Sequence, residues 1–248
     1  MIDLDGTIYN GLMPIPTAKL FIERLEGQGI PYLYLTNNAT RTPEEVVAYL
    51  AEVCQIQATP DQVYTSGLAA VDYIAKNYPN GRVYVVGEAA LARQVEEAGL
   101  VLVDEKIQVV LQALDRKTNY EKLTIASTAI RNGAAFVVTN PDTNLPTENG
   151  FVPGAGTITA FLKTSTQQEP FIIGKPFAPI MEGALSRLGL SKEDVVMVGD
   201  NYQTDILAGI HYGIDTILTL TGFTQAADLV SMPEQPTYVV RNLSEWTV

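Results

Sequence analysis

Short apolar runs rich in Val, Ile, Leu and Tyr recur along this chain, and stretches with helical spacing of apolar residues lie between them. The runs fall at 30–35, 62–65, 82–87, 100–103, 108–111, 135–140, 171–173, 195–198, 216–220 and 238–240. Helical spacing is read over 16–25, 43–54, 89–99, 120–133, 157–164, 179–188 and 204–212. Many of the runs are apolar throughout rather than alternating, which suits strands covered on both faces. Strands and helices in alternation predict parallel sheets, so the expected fold class is α/β. A turn-rich loop is expected over 141–156.

The polar clusters are placed in a telling way. Asp3 and Asp5 follow Met1-Ile2, Thr36-Asn37-Asn38 follows the run at 30–35, Lys175 follows 171–173, and Asp200-Asn201 with Asp205 follows 195–198. In an open parallel sheet, ligands bind in the crevice beyond the carboxyl ends of the strands. Clusters spread over the chain are therefore expected to converge on one crevice. Asp and Gly are poor strand formers, so Asp5-Gly6 reads as a strand stopping and a tight loop starting. Two acids held close together need a cation or a shared proton.

Composition narrows the partners. The 248 residues suffice for a sizeable core, with 46% hydrophobic and 18% charged residues. A formal net charge of −12 disfavours nucleic acid and anionic membranes, and any phosphate site must carry its own local cation. The single cysteine, Cys54, cannot form an internal disulfide, and its helical setting reads as a buried structural thiol. No apolar run approaches a membrane span, and the expected location is the cytoplasm. Only Met1 and Ile2 precede Asp3, fewer residues than a central strand ordinarily has. The natural chain is therefore expected to begin a few residues earlier, and a form with apolar residues before Met1 to be more stable.

The clustered groups are acids, one lysine, and hydroxyl and amide donors, which together suit a hard cation and an oxyanion. A phosphoryl-transfer reading uses each part. Asp3 and Asp200 supply carboxylates to Mg²⁺, with the backbone carbonyl of Asp5 as a third ligand. Asp3 is the candidate nucleophile, forming an aspartyl-phosphate. Asp5 protonates the leaving oxygen and later deprotonates the attacking water. Lys175, the Thr36 hydroxyl and loop N–H groups bind the equatorial oxygens. Asp205 suits orienting a metal-bound water or Lys175 better than direct ligation.

Asp-Leu-Asp-Gly-Thr at 3–7, Thr-Asn-Asn at 36–38, Gly-Lys-Pro at 174–176 and Gly-Asp-Asn-x-x-x-Asp at 199–205 resemble the four motifs of the haloacid dehalogenase superfamily of phosphatases. The forms of the second and third motifs, and the long insert between them, resemble the NagD-like, para-nitrophenyl-phosphatase branch. The resemblance covers the whole chain. It implies a Rossmann-like core over 1–67 and 170–248, an inserted α/β cap over 68–169, and Mg²⁺ as cofactor. It implies small phosphomonoesters such as nucleotides or sugar phosphates as substrates, and allows a homodimer formed through the cap. The crevice between core and cap would open for binding and close to exclude water. Asn140-Pro141-Asp142 and the loop to Gly156 resemble the cap loop that faces the substrate, which makes Asp142 a substrate-binding candidate beside Thr36, Asn37 and Asn38.

Each motif has a plainer reading. Asp-x-Asp occurs in turns and in sugar-nucleotide metal sites. Thr36-Asn37-Asn38 can simply cap the next helix, Lys175 can be a surface lysine, Asp205 an acid at a helix start, and Asn-Pro-Asp a turn. His211 reads as structural or surface, and Trp246 as packing. Two rival functions share the same acids: a phosphotransferase or mutase using the same aspartyl-phosphate, and a non-catalytic phosphoacceptor. The first differs in its acceptor, and the second in lacking turnover. A carboxylate-pair glycosidase would need neither the lysine nor a metal.

Overall fold

The computed structural model describes residues 1–147 and 150–247. Glu148 and Asn149, inside the loop expected over 141–156, lie outside the described residues.

Along the chain, a small antiparallel ribbon comes first, from β1 (Tyr9–Asn10) and β2 (Met13–Pro14). Helix α1 (Pro16–Gly27) follows, and it buries Ala18, Phe21, Ile22 and Leu25, one face at helical spacing. Then come β3 (Tyr34–Thr36), α2 (Pro43–Tyr49) running into a π-helical turn at Leu50–Cys54, and β4 (Val63–Thr65). Next are α3 (Ser66–Asn77), β5 (Arg82–Val86), α4 (Ala89–Glu97), β6 (Val101–Leu102), β7 (Val109–Gln112) and α5 (Tyr120–Arg131). They are followed by β8 (Ala135–Val138), β9 (Asn144–Thr147), β10 (Gly150–Pro153), α6 (Ala155–Thr166) and β11 (Phe171–Ile172). The last elements are α7 (Ala178–Leu188), β12 (Val196–Gly199), a π-helical turn at Tyr202–Ile206 leading into α8 (Leu207–Tyr212), β13 (Asp215–Thr219) and β14 (Tyr238–Val240). No helix among the described residues is long and apolar enough to cross a membrane.

The chain divides into two compact units: Met1–Thr36, Pro43–Tyr64 and Lys175–Val248 in one, Asn37–Thr42 and Thr65–Gly174 in the other. In the first unit β12, β13 and β14 form a parallel sheet, and β3 pairs with β4. The opening residues join the two. Ile2 bridges Tyr34 on one side and Val198 on the other, both in parallel. Backbone bonds from Ile2 N to Leu33 O, Leu35 N to Ile2 O, Asp3 N to Val198 O and Val198 N to Met1 O run from 2.8 to 2.9 Å. Residues 1–3 thus act as a minimal central strand. Ile2, Leu4, Ile8, Phe21, Tyr34, Val198 and Ile217 belong to one buried cluster beneath it.

In the second unit the sheet order is β11-β8-β7-β5-β6, with all neighbours parallel. Helices α5 and α6 cover one face, with Leu123, Ala126, Ile130, Ile158 and Leu162 against Val86, Val110 and Val138. Three local features depart from the sequence expectation. The loop expected over 141–156 contains the β9–β10 antiparallel hairpin. The segment 66–77, read only as a strand end, is helix α3, capped by Thr65 Oγ1 accepting from the Leu68 N–H at 3.0 Å. Strand β11, placed with the core from sequence, pairs with β8 in the second unit's sheet. Cys54 is buried, and Trp246 packs edge-on against Tyr238 at 4.9 Å. His211 is exposed on α8.

Candidate active site

The first unit gathers its acids at strand ends. Asp3 ends the minimal strand 1–3, Thr36 ends β3 beside it, and Asp200 follows β12 on the other side. Each side chain is buried because its strand is central to the sheet. Directly after Asp3 the chain turns sharply. The Leu4 carbonyl accepts from the N–H groups of Thr7, Ile8 and Tyr9, and Gly6 sits at φ +90°, where a side chain would be strained. A Cβ on Gly6 would also lie 2.2 Å from Asp200 Oδ2, and one on Gly222 2.1 Å from the same oxygen. The absence of both side chains makes room for that carboxylate.

Lys175 is the hub. Its side chain is 1% exposed, and Nζ donates to Asp3 Oδ1 at 2.6 Å, Asp205 Oδ1 at 2.7 Å and the Leu35 carbonyl at 2.8 Å. An ammonium has three protons, and each has an acceptor here. The Lys175–Pro176 peptide is cis. Asp205 uses its other oxygen to accept from the Asn201 N–H at 3.1 Å, so both its oxygens have protein partners. Asn201 in turn caps the π-helical turn, its side chain accepting from the Gln203 N–H at 3.0 Å. Asp200 Oδ2 accepts from the Phe223 N–H at 2.6 Å, and Oδ1 from the Thr7 hydroxyl at 3.3 Å. Asp3 Oδ2 takes no hydrogen bond among the described residues, so its second oxygen is the open one.

The electrostatics follow from burial. Ligand oxygens of Asp3, Asp200 and Asp205 lie within 4.8 Å of one another, and Lys175 pairs with Asp3 and Asp205. Burial pushes the Asp3 carboxyl well above the usual carboxylate range; Asp205 and Asp200 add to that, and Lys175 opposes it. Asp200 is raised to about 7, first by burial and then by Asp205, against the Phe223 N–H and Lys175. Burial works against the Lys175 ammonium, yet Asp205 and Asp3 outweigh it and hold its pKa above the ordinary lysine value. This excess of buried acid fits a divalent cation of the hard, oxygen-liganded kind, and Asp3 is its least committed carboxylate, since Asp200 and Asp205 each already accept a hydrogen bond on both oxygens.

Asp5 differs from Asp3 in every respect but type. Its side chain is exposed, and Oδ1 accepts from the Gly11 N–H at 3.2 Å. The remaining expected residues belong to the second unit. Asn37 Nδ2 donates to Asp142 Oδ1 at 3.3 Å and Oδ2 at 3.4 Å, while Asn140 Nδ2 donates to the Asn37 carbonyl at 2.9 Å. Asn38 Oδ1 closes a local turn, accepting from the Thr40 N–H at 2.7 Å.

Sequence reasoning gave no role to Thr7, Gly222 or Phe223, all of which shape or hold Asp200. Thr7 lies within a quoted motif. Thr221-Gly222 follows an apolar run as the other clusters do, and that position was the available signal.

A parallel α/β unit with a buried Asp at the end of its central strand, a buried lysine and a second acid just after the neighbouring strand is the arrangement of a haloacid dehalogenase-like hydrolase. Residues 1–101 match the haloacid dehalogenase-like hydrolase family and 172–246 the HAD-hydrolase-like family. An acid sugar phosphatase of Staphylococcus aureus (strain MRSA252) is 48% identical over 99% of this chain and 95% of its own. A double mutant of a thermostable NPPase from Geobacillus stearothermophilus superposes with a TM-score of 0.93 at 46% identity, covering 99% of this chain and 96% of that one. The p-nitrophenyl phosphatase from Archaeoglobus fulgidus gives 0.94 at 33% identity, covering 98% and 95%. The chain belongs to the haloacid dehalogenase-like hydrolase family. It is an enzyme of the phosphatase kind, and its relatives fall in the NagD-like branch that its motifs resemble.

Proposed function

We propose that this protein hydrolyses small phosphomonoesters, sugar phosphates and p-nitrophenyl phosphate among them, through an aspartyl-phosphate on Asp3. The observation that carries the reading is the state of the Asp3 carboxylate: Oδ1 is tethered to Lys175 while Oδ2 takes no hydrogen bond among the described residues. Such an oxygen is aimed and available. Oδ2 attacks phosphorus, the ester P–O bond breaks, and Asp5 gives its proton to the leaving oxygen. Water then attacks the phosphorus of the aspartyl-phosphate, Asp5 takes the proton, inorganic phosphate leaves, and Asp3 is regenerated. The Lys175 ammonium, its protons held by Asp3, Asp205 and the Leu35 carbonyl, stabilises the transferring oxygens by its charge, and the Thr36 hydroxyl donates to them. Asp205 and Asn201 keep Lys175 in place.

Mg²⁺ held by Asp3, Asp200 and the Asp5 carbonyl would neutralise phosphate charge and let a carboxylate approach it. In this reading the second unit is the cap, with the expected span 68–169 as its body, and Asn37, Asn38 and Asp142 contribute to substrate binding. The names of the relatives, an acid sugar phosphatase and p-nitrophenyl phosphatases, support the substrate class.

The test is phosphate release from a panel of phosphomonoesters with Mg²⁺, with transfer to added alcohols measured alongside. Asp3→Asn is expected to lower hydrolysis by roughly 10³-fold or more while keeping the fold. An Asp3→Asn protein that retains activity overturns the assignment of the nucleophile. Transfer exceeding hydrolysis would favour the phosphotransferase.

A further inference from the structure

Asp5 poses a problem that Asp3 does not. Its carboxylate is exposed, and burial does not fix its position. The ribbon beside it is two residues per strand, a size that has little stability of its own in water. Its turn is not held by apolar packing, since Leu12 and Met13 are 68% and 70% exposed. The base of the ribbon is tied by Gly6 N to Tyr9 O at 2.6 Å and Ile15 N to Ile8 O at 2.9 Å, and its side by Asn10 Nδ2 to the Thr221 carbonyl at 3.0 Å. The bond that reaches the turn itself comes from Tyr49, whose hydroxyl donates to the Gly11 carbonyl. The Tyr49 ring is fixed edge-on against Tyr9 at 5.0 Å and 73°. Gly11, at φ +57° in the left-handed region, then donates its own N–H to Asp5 Oδ1 at 3.2 Å.

We infer that Tyr49 is a positioning residue for Asp5, acting through Gly11: the phenol fixes the carbonyl of the residue whose N–H fixes the carboxylate. The inference rests on the acid–base role proposed for Asp5. Without the hydroxyl the turn can drift, and the Gly11 N–H holds the Asp5 oxygen less firmly. The effect must then depend on how much the leaving group needs a proton. Phenolate is a far stronger base than p-nitrophenolate, and the two phosphate esters differ little in size.

The experiment compares kcat/KM for phenyl phosphate and p-nitrophenyl phosphate in wild type, Tyr49→Phe and Asp5→Asn, each with Mg²⁺. Tyr49→Phe keeps the ring and its contact with Tyr9. It is expected to lower kcat/KM about tenfold for phenyl phosphate and less than about threefold for p-nitrophenyl phosphate. Inhibition by inorganic phosphate should stay within about twofold of wild type, because the groups that hold phosphate are untouched. Asp5→Asn should show the same selectivity, larger in size. Equal losses on both esters in Tyr49→Phe, or no loss on either, while Asp5→Asn is selective, overturn the role of Tyr49 alone. An Asp5→Asn protein that treats the two esters alike removes the acid role of Asp5, and the inference falls with it.

Discussion

Two lysines among the described residues hold buried carboxylates, one in charge balance and one against a surplus of acid. Lys122 meets Asp115 Oδ2 at 2.7 Å, and the other Asp115 oxygen accepts from the Lys117 N–H at 2.9 Å. One cation there answers one acid. Lys175 meets Asp3 and Asp205 at 2.6 and 2.7 Å, and Asp200 completes the group. One cation there answers three acids. Both pairs lie in parallel α/β units of similar construction, so scaffold type does not distinguish them. The surplus of buried negative charge does. Burying a charge is costly unless it is compensated, and a surplus is relieved by a proton or by a cation. A balanced buried pair braces a loop, whereas an unbalanced one asks for a ligand.

Removing Lys175 has the largest expected effect. Lys175→Met leaves the buried acids with no ammonium. Truncating one partner of a buried pair generally costs about 3–5 kcal/mol. Losing one preorganised group that stabilises the transferring oxygens costs roughly 10²–10³ in kcat. Urea unfolding of Lys175→Met should show a loss of that size, and phosphate release should fall accordingly. If the variant were as stable and as active as wild type, the acids would not depend on Lys175 for compensation.

The second test uses protons as the alternative compensation. The folded pKa of Asp200 is raised to about 7 from an ordinary 3.8, and Asp3 shifts in the same direction. Between those pH values the native state holds a proton that the unfolded chain has released. In the presence of a chelator this contribution to stability is fully present below about pH 4 and is lost as pH rises through about 7. Mg²⁺, if held by the same acids as proposed, is expected to displace the proton and restore stability at neutral pH, by about 2.7 kcal/mol at a hundredfold excess over its dissociation constant. The measurement is the difference in unfolding free energy between wild type and Asp200→Asn across pH 4–8, with EDTA and with Mg²⁺. A flat difference in EDTA, or no response to Mg²⁺, would remove the surplus-charge argument.

What the sequence reveals of this site follows the same division. Asp3, Thr36 and Asp200 are legible because each breaks an apolar run where a central strand ends, and the topology of a parallel sheet does the rest. Lys175 is legible from its place after the run at 171–173, although that run joins the other sheet. The run before it, Phe171–Ile172, pairs with β8 of the second unit, and two residues carry no mark of the sheet they will join. Helix α3 is masked by Ser66-Gly67, which reads as a stop. Its buried face is built largely from Gly67, Ala69 and Ala70, whose small side chains give a faint periodicity. The ribbon β1–β2 is too short for period-two alternation to register. The hold of the Phe223 N–H on Asp200 uses a backbone group, which every residue has, so residue type does not announce it. The open second oxygen of Asp3 is likewise a property of the assembled site.

The smallest expected effect is on the balanced pair. Lys122→Met removes the ammonium from Asp115, but the Lys122 side chain is 34% exposed, so water screens the interaction and can reach the acid it leaves behind. The expected loss is about 1 kcal/mol, discounted for that exposure and well below the loss on removing Lys175. Lys122 takes no part in the proposed chemistry, so kcat/KM for p-nitrophenyl phosphate should stay within about twofold of wild type. Mg²⁺ should stabilise Lys122→Met by the same increment as wild type, because the surplus of acid sits elsewhere. A loss of stability equal to that of Lys175→Met would show that one buried ion pair matters as much as the other whatever its balance. The number of acids per lysine would then tell nothing about which cluster binds a ligand.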